Sequence, residues 1–185
     1  DLRRVRLGCT QPGESTSTYG DALRRISDRA KHIHQDGNRY WISTKPNLNR
    51  LADDRASSFM SRPEELHAEI SRRIREECRH RANRGDFAGV HPCPEASSDV
   101  ADESEARLVI LGPQFAHRKG QADSPAMKQA RLLLDHRGNS PRLNRNTLVF
   151  LAAEEVRLAE LMQGVAQHLA WRSVFEDKAT LNLDE

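Results

Sequence analysis

Four basic residues share one short stretch, Arg24, Arg25, Arg29 and Lys31, and two more, Arg39 and Lys45, flank the run YWIST that follows it. Guanidinium groups at this density suit phosphate recognition, because each planar fork can give two parallel hydrogen bonds to an oxyanion. On a helical wheel the four lie opposite Leu23, Ile26 and Ala30, interrupted by Asp28. One side could then pack while the other reaches phosphates or base edges in a DNA groove. Arg39 and Lys45 would add contacts to backbone phosphates. Solvated arginines on a small domain packed by Tyr40 and Trp41 give the same pattern, so both readings stay open.

Other residues could do different chemistry. His32 and His34 would share one strand face, and His91 and Cys93 pair two soft ligands, but neither pair has a second pair at zinc-finger spacing. Asp99, Asp102, Glu103 and Glu105 follow a strand, where a magnesium-dependent nuclease would want acids; acid runs in polar loops are more commonly solvated. Arg137, Arg142 and Arg145 lead into an apolar strand and could fork onto phosphates or satisfy helix and strand ends. Nucleotide binding lacks its sequence signature. The chain has no G-x-x-x-x-G-K-[ST] loop and no G-x-G-x-x-G, and the glycine of LVILGP is followed by a proline that removes a cradle N–H.

The elements that must position these groups are legible in part. Tyr19, Leu23, Ile26, Ala30 and Ile33 recur at helical spacing behind the turn-rich TQPGESTSTYG. A hairpin follows, with its turn at Asp36-Gly37; Tyr40 and Ile42 face one side, and Arg39, Trp41 and Ser43 the other. After Pro46 a helix is expected over 47–59. A clearer one covers 61–82, with Ser61 and Glu64 as a capping box, Pro63 in its first turn, and Leu66, Ile70, Ile74 and Cys78 stepping by four. The run NRG (83–85) is expected to close it. Beyond it, apolar strands at 86–92, 107–113 and 146–153 alternate with a polar loop (94–106), a helix running from the Ser124 cap to Gly138, and a long helix over 154–175. Continuous apolar strands between helices predict a small, mainly parallel sheet with helical cover.

The expected fold is therefore α/β, α+β overall. A winged-helix-like domain would cover 1–60, a connecting helix 61–84, and a small α/β domain 85–185, with a peripheral polar tail. The chain has 185 residues and a net charge of +2, unevenly placed. Residues 1–85 hold 18 Lys/Arg against 12 Asp/Glu, and residues 86–185 hold 11 against 15. A basic half beside an acidic one suits a protein whose first half alone meets a polyanion. Three widely spaced cysteines suit reduced thiols in a cytoplasmic protein. No apolar run is long enough to span a bilayer, and DLRRVRL is not a signal peptide, so no membrane partner is expected. The opening, without methionine and in mid-pattern, reads as part of a longer protein.

The blocks RRVRLGCTQPGES, YGDALRRISDRAKHIHQDGNRYWISTKPNLNRLADDRA, EARLVILGP, RNTLVFLAAEEVRLAEL and LAWRSVFEDKATLNLDE run in order along nearly the whole chain. In them the sequence resembles a family of large bacterial and archaeal AAA-type ATPases with a core of unknown function. These are encoded beside DNA methylases in phage-defence islands and include the phage-growth-limitation (BREX-like) ATPases. The resemblance implies a region downstream of the family's phosphate-loop module. ATP and magnesium would be cofactors of the parent protein, with none held here. It also implies a non-catalytic accessory role, with DNA, the rest of the ATPase and a methylase as partners. The alternative is a structural or protein-interaction module docking on the ATPase core or on a methylase.

Overall fold

The computed structural model describes residues 1–30, 32–43, 45–80 and 85–181. Among these the chain forms six α-helices and seven strands, a mixed α/β protein with one three-stranded parallel sheet and two small antiparallel ones. It divides into two compact units, Asp1–Ser57 with Gln167–Glu185, and Ser58–Ala166. The residues expected to form a separate connecting helix thus group with the second unit. The end of the chain groups with the first.

The first unit opens on a helix that periodicity did not suggest, α1 (Leu2–Cys9), capped by Asp1, whose carboxylate accepts from the Arg3 amide at 3.1 Å. A turn through Gly13 (φ 91) leads to α2 (Thr16–Arg29). Tyr19, Leu23 and Ala30 are half-buried as expected, but Ile26 is 51% exposed. The packing face is instead centred on Gly20, the buried residue of α2, where the Arg6 guanidinium of α1 lies against the glycine Cα. A side chain there would meet the guanidinium, so glycine permits the approach.

β1 (Ile33–Asp36) and β2 (Arg39–Ile42) pair antiparallel, with Asp36 opposite Arg39. The two-residue turn is therefore Gly37-Asn38 and not Asp36-Gly37. Gly37 takes φ 55 and Asn38 has no positive φ, the pattern of a II′ turn. The Asn38 carbonyl accepts from the Leu2 amide at 2.9 Å, tying the turn to the start of α1. α3 (Leu48–Met60) starts where Asn47 accepts from the Arg50 amide. Its Arg55 donates to Ser173 and pairs with Asp177 at 2.6 Å, and its Asp53 accepts from Gln167 at 3.2 Å. Those bonds, with buried Ala52, Ala56, Leu169, Ala170 and Val174, place the chain's end in this unit.

In the second unit β3 (Gly89–Pro92), β4 (Arg107–Ile110) and β7 (Leu148–Leu151) form the parallel sheet in the order β3-β4-β7. α4 (Pro63–Glu77) starts with Arg62 at the cap position and no side-chain cap bond, so the expected Ser61–Glu64 box is not its start. Pro63 is in its first turn, and Leu66 and Ile70 are buried. The expected closure at 83–85 falls mainly outside the described residues. α5 (Pro125–Asp135) is capped by Ser124, which accepts from the Met127 amide. It ends before Gly138, because residues 136–141 form a two-stranded hairpin, β5 (His136–Arg137) and β6 (Ser140–Pro141), with Gly138 at φ 59 in its turn. α6 (Glu155–Glu176) completes the chain. One sheet face packs a core of Val100, Val109, Leu111, Ala126 and Leu133, with Phe150 and Leu148 against it. Each fully buried aliphatic there contributes about 1.5–3 kcal/mol.

Candidate nucleic-acid interface

The expected basic residues fall on two adjoining elements of the first unit. Arg24, Arg25 and Arg29 are exposed on the second half of α2, with Arg29 in the last turn, where the helix dipole favours a cation. Arg39 is exposed at the start of β2. None of these four side chains has an ion pair or hydrogen bond among the described residues. Lys45 is half-buried just beyond the hairpin, its carbonyl accepting from His34 Nε2–H at 3.0 Å and its amide donating to Ser43 Oγ at 3.1 Å. Lys31 lies outside the described residues.

The first unit holds further basic groups that sequence reasoning missed. Arg3 and Arg4 are exposed on α1, without side-chain partners among the described residues. The signal for them was local: Asp1 as a cap, with Leu2 and Val5 three apart and arginines between. Asp21 and Asp28, both exposed on α2, dilute the positive charge. The unit also presents apolar surface, with Trp41 47% and Ile42 82% exposed on the hairpin.

The arginines of the second unit are disposed differently. Arg62, Arg72, Arg73, Arg75, Arg118 and Arg157 each pair with a carboxylate. Arg72 and Arg73 both bond Glu69 on α4; chiefly through Arg72, they pull its pKa down to about 2 against the opposing effect of burial. Arg107, buried in the central strand, pairs with Glu103. Arg142 is 3% exposed and donates to the carbonyls of Leu133 (2.9 Å), Ala101 (2.8 Å) and Val100 (3.1 Å). It is an internal clamp for the polar loop. Arg145 pairs with Asp135 at 3.4 Å, and Arg137 is exposed.

The acidic run is likewise engaged by the backbone. Asp99 accepts from the amides of Glu95 (3.0 Å) and Ala96 (2.8 Å). Asp102 accepts from those of Leu143 and Asn144, both at 2.8 Å, and these bonds lower its pKa. Both carboxylates fasten loops. His32 is exposed while His34 stacks on Trp41, and buried Cys93 has φ 49, a strained backbone for a residue with a side chain. All three cysteines are free thiols. No helix among the described residues is long and apolar enough to cross a membrane.

Fold and site together define a mixed α/β protein in which Arg24, Arg25, Arg29 and Arg39 of the first unit are unpaired among the described residues, while most arginines of the parallel-sheet unit are held by carboxylates or carbonyls. Compared with protein-family models, curated proteins and solved structures, the chain matches none.

Proposed function

We propose that this chain is a non-catalytic accessory region of an anti-phage defence ATPase of the kind it resembles, and that its first unit binds DNA weakly through phosphates. The order helix, turn, helix, hairpin is that of a winged helix-turn-helix, in which the second helix enters a groove and the hairpin flanks the backbone. One observation carries the reading. Arg24, Arg25, Arg29 and Arg39 are exposed and unpaired among the described residues, whereas most arginines of the second unit are held by carboxylates or carbonyls. Unpaired surface guanidinium groups keep their charge and forks for an oxyanion. Anisotropy titration of a labelled duplex at low salt tests it. Binding that the triple variant Arg24→Glu, Arg25→Glu, Arg29→Glu abolishes supports the proposal, and a duplex that does not bind at low salt defeats it.

A second reading has its own observation. Ile26, Trp41 and Ile42 expose apolar surface on the same two elements, which suits docking on the ATPase core of the parent protein. Capture of that core, lost on Trp41→Ala and insensitive to salt, would favour docking over DNA.

A further inference from the structure

We propose that Trp41 is a base-stacking platform, so that the hairpin takes nucleic acid with unpaired bases, a single-stranded tail beside a duplex, in preference to an uninterrupted duplex. The inference rests on the nucleic-acid reading of the basic helix. Trp41 and His34 are cross-strand partners, and their rings stack with centroids 5.5 Å apart and planes 14° from parallel. Among the described residues the sheet has two strands, so β2 has no neighbour on its other side and the indole's far face meets no second ring. Trp41 remains 47% exposed, although a tryptophan of a small domain would ordinarily be drawn into the core.

The platform is also held in place. The hydrogen bond from His34 Nε2–H to the Lys45 carbonyl, 3.0 Å, fixes the imidazole that backs the indole. A backed, half-open aromatic face beside cations is the arrangement that binds single strands, since every base has a π-face and every nucleotide a phosphate. Arg39 supplies the cation. It lies two residues along on the same strand face, roughly 7 Å away by strand rise. It is exposed, and Asp36 across from it makes no ion pair with it among the described residues. A closed duplex offers no such contact, because its bases are stacked on one another and reaching them requires prying a step apart.

The test uses the 185-residue chain with two probes at low salt, a blunt DNA duplex and the same duplex carrying a single-stranded tail. The wild type is expected to bind the tailed probe more tightly. Trp41→Ala should lose about tenfold on the tailed probe and little on the blunt one, and Trp41→Phe should keep most of the preference. In a Trp171→Phe background, where Trp41 is the remaining tryptophan, the tailed probe should quench its emission. Equal affinity of the wild type for both probes, or a Trp41→Ala variant that binds the tail as well as the wild type, overturns this inference and leaves phosphate binding by the helix standing. Failure of both probes to bind overturns both proposals.

Discussion

Arg142 is a buried charge in the α/β unit, and the backbone carbonyls of Ser97, Val100, Ala101 and Leu133 hold it there. Replacing it with methionine fills similar volume but leaves those acceptors unpaired, each a desolvated group without a donor. Urea unfolding of Arg142→Met should show a loss of about 2–4 kcal/mol, against less than about 0.5 kcal/mol for exposed Arg137→Ala. Both arginines belong to one sequence run, and only burial separates them. Composition left the run open between phosphate fork and satisfier of helix and strand ends, and Arg142 takes the second role.

His91 makes the complementary point about pH. Burial, and then the positive charge of Arg107, push its pKa below the ordinary 6.5; Arg142 adds to this, while Glu103 and a backbone hydrogen bond to Asp99 oppose it. Its Nε2 is buried without a hydrogen-bond partner among the described residues. The unfolded chain then takes up the proton first as pH falls. Stability should be full above about pH 6.5 and decline as acid is added, levelling once the folded-state pKa is passed. Urea curves at about pH 7.5 and about pH 5.5 should differ, and His91→Gln should remove much of the difference. Glu69, held at about 2, contributes its loss only below 4.5, outside that window.

At the scale of elements, what was legible followed the strength of the local signal. α5 has Ser124 then Pro125, and both act as the sequence suggests, so the cap is testable directly. Ser124→Ala should cost about 1–2 kcal/mol in thermal or urea unfolding, because the Met127 amide loses its acceptor and His117 Nδ1, 2.9 Å from the hydroxyl, loses its partner. The parallel sheet was legible too, since its strands read as continuous apolar runs, although only one face of β7 is covered and Val149 and Leu151 on the other stay 47% and 53% exposed. Misreadings arose where tertiary packing overrode the local pattern. α1 is short and arginine-rich, with Arg6 turned inward onto Gly20, so its stripe was hidden. Ile26 fitted a helical stripe, but Gly20 set the packing face one position away. In α4, Ser61 and Glu64 had box spacing while Pro63 placed the helix start one residue later. In the hairpin, Asp-Gly suggested the turn, yet Gly37-Asn38 forms it, because a II′ turn wants glycine first.

For the whole molecule, the charge split along the chain does not coincide with the two units: Asp1–Ser57 with Gln167–Glu185 holds 13 Lys/Arg against 11 Asp/Glu, and Ser58–Ala166 holds 16 against 16. The units differ instead in pairing: in the first, Arg24, Arg25, Arg29 and Arg39 are unpaired among the described residues while Arg55 and Arg172 pair with Asp177 and Glu176, whereas most arginines of the second pair with carboxylates such as Glu69, Glu95, Glu103 and Glu155. Burial cannot be read from counts of Lys and Arg, so the contrast needed the fold. If Arg24, Arg25, Arg29 and Arg39 each neutralise a phosphate, binding must release counterions, and affinity for DNA must depend steeply on salt. The most direct measurement is the dissociation constant for a labelled duplex followed across salt concentration. A logarithmic slope of roughly −3 to −4, reduced to about −1 by reversing Arg24, Arg25 and Arg29 to glutamate, is the expected result. A slope near zero, or one that the reversal leaves unchanged, contradicts the assignment of this unit to DNA.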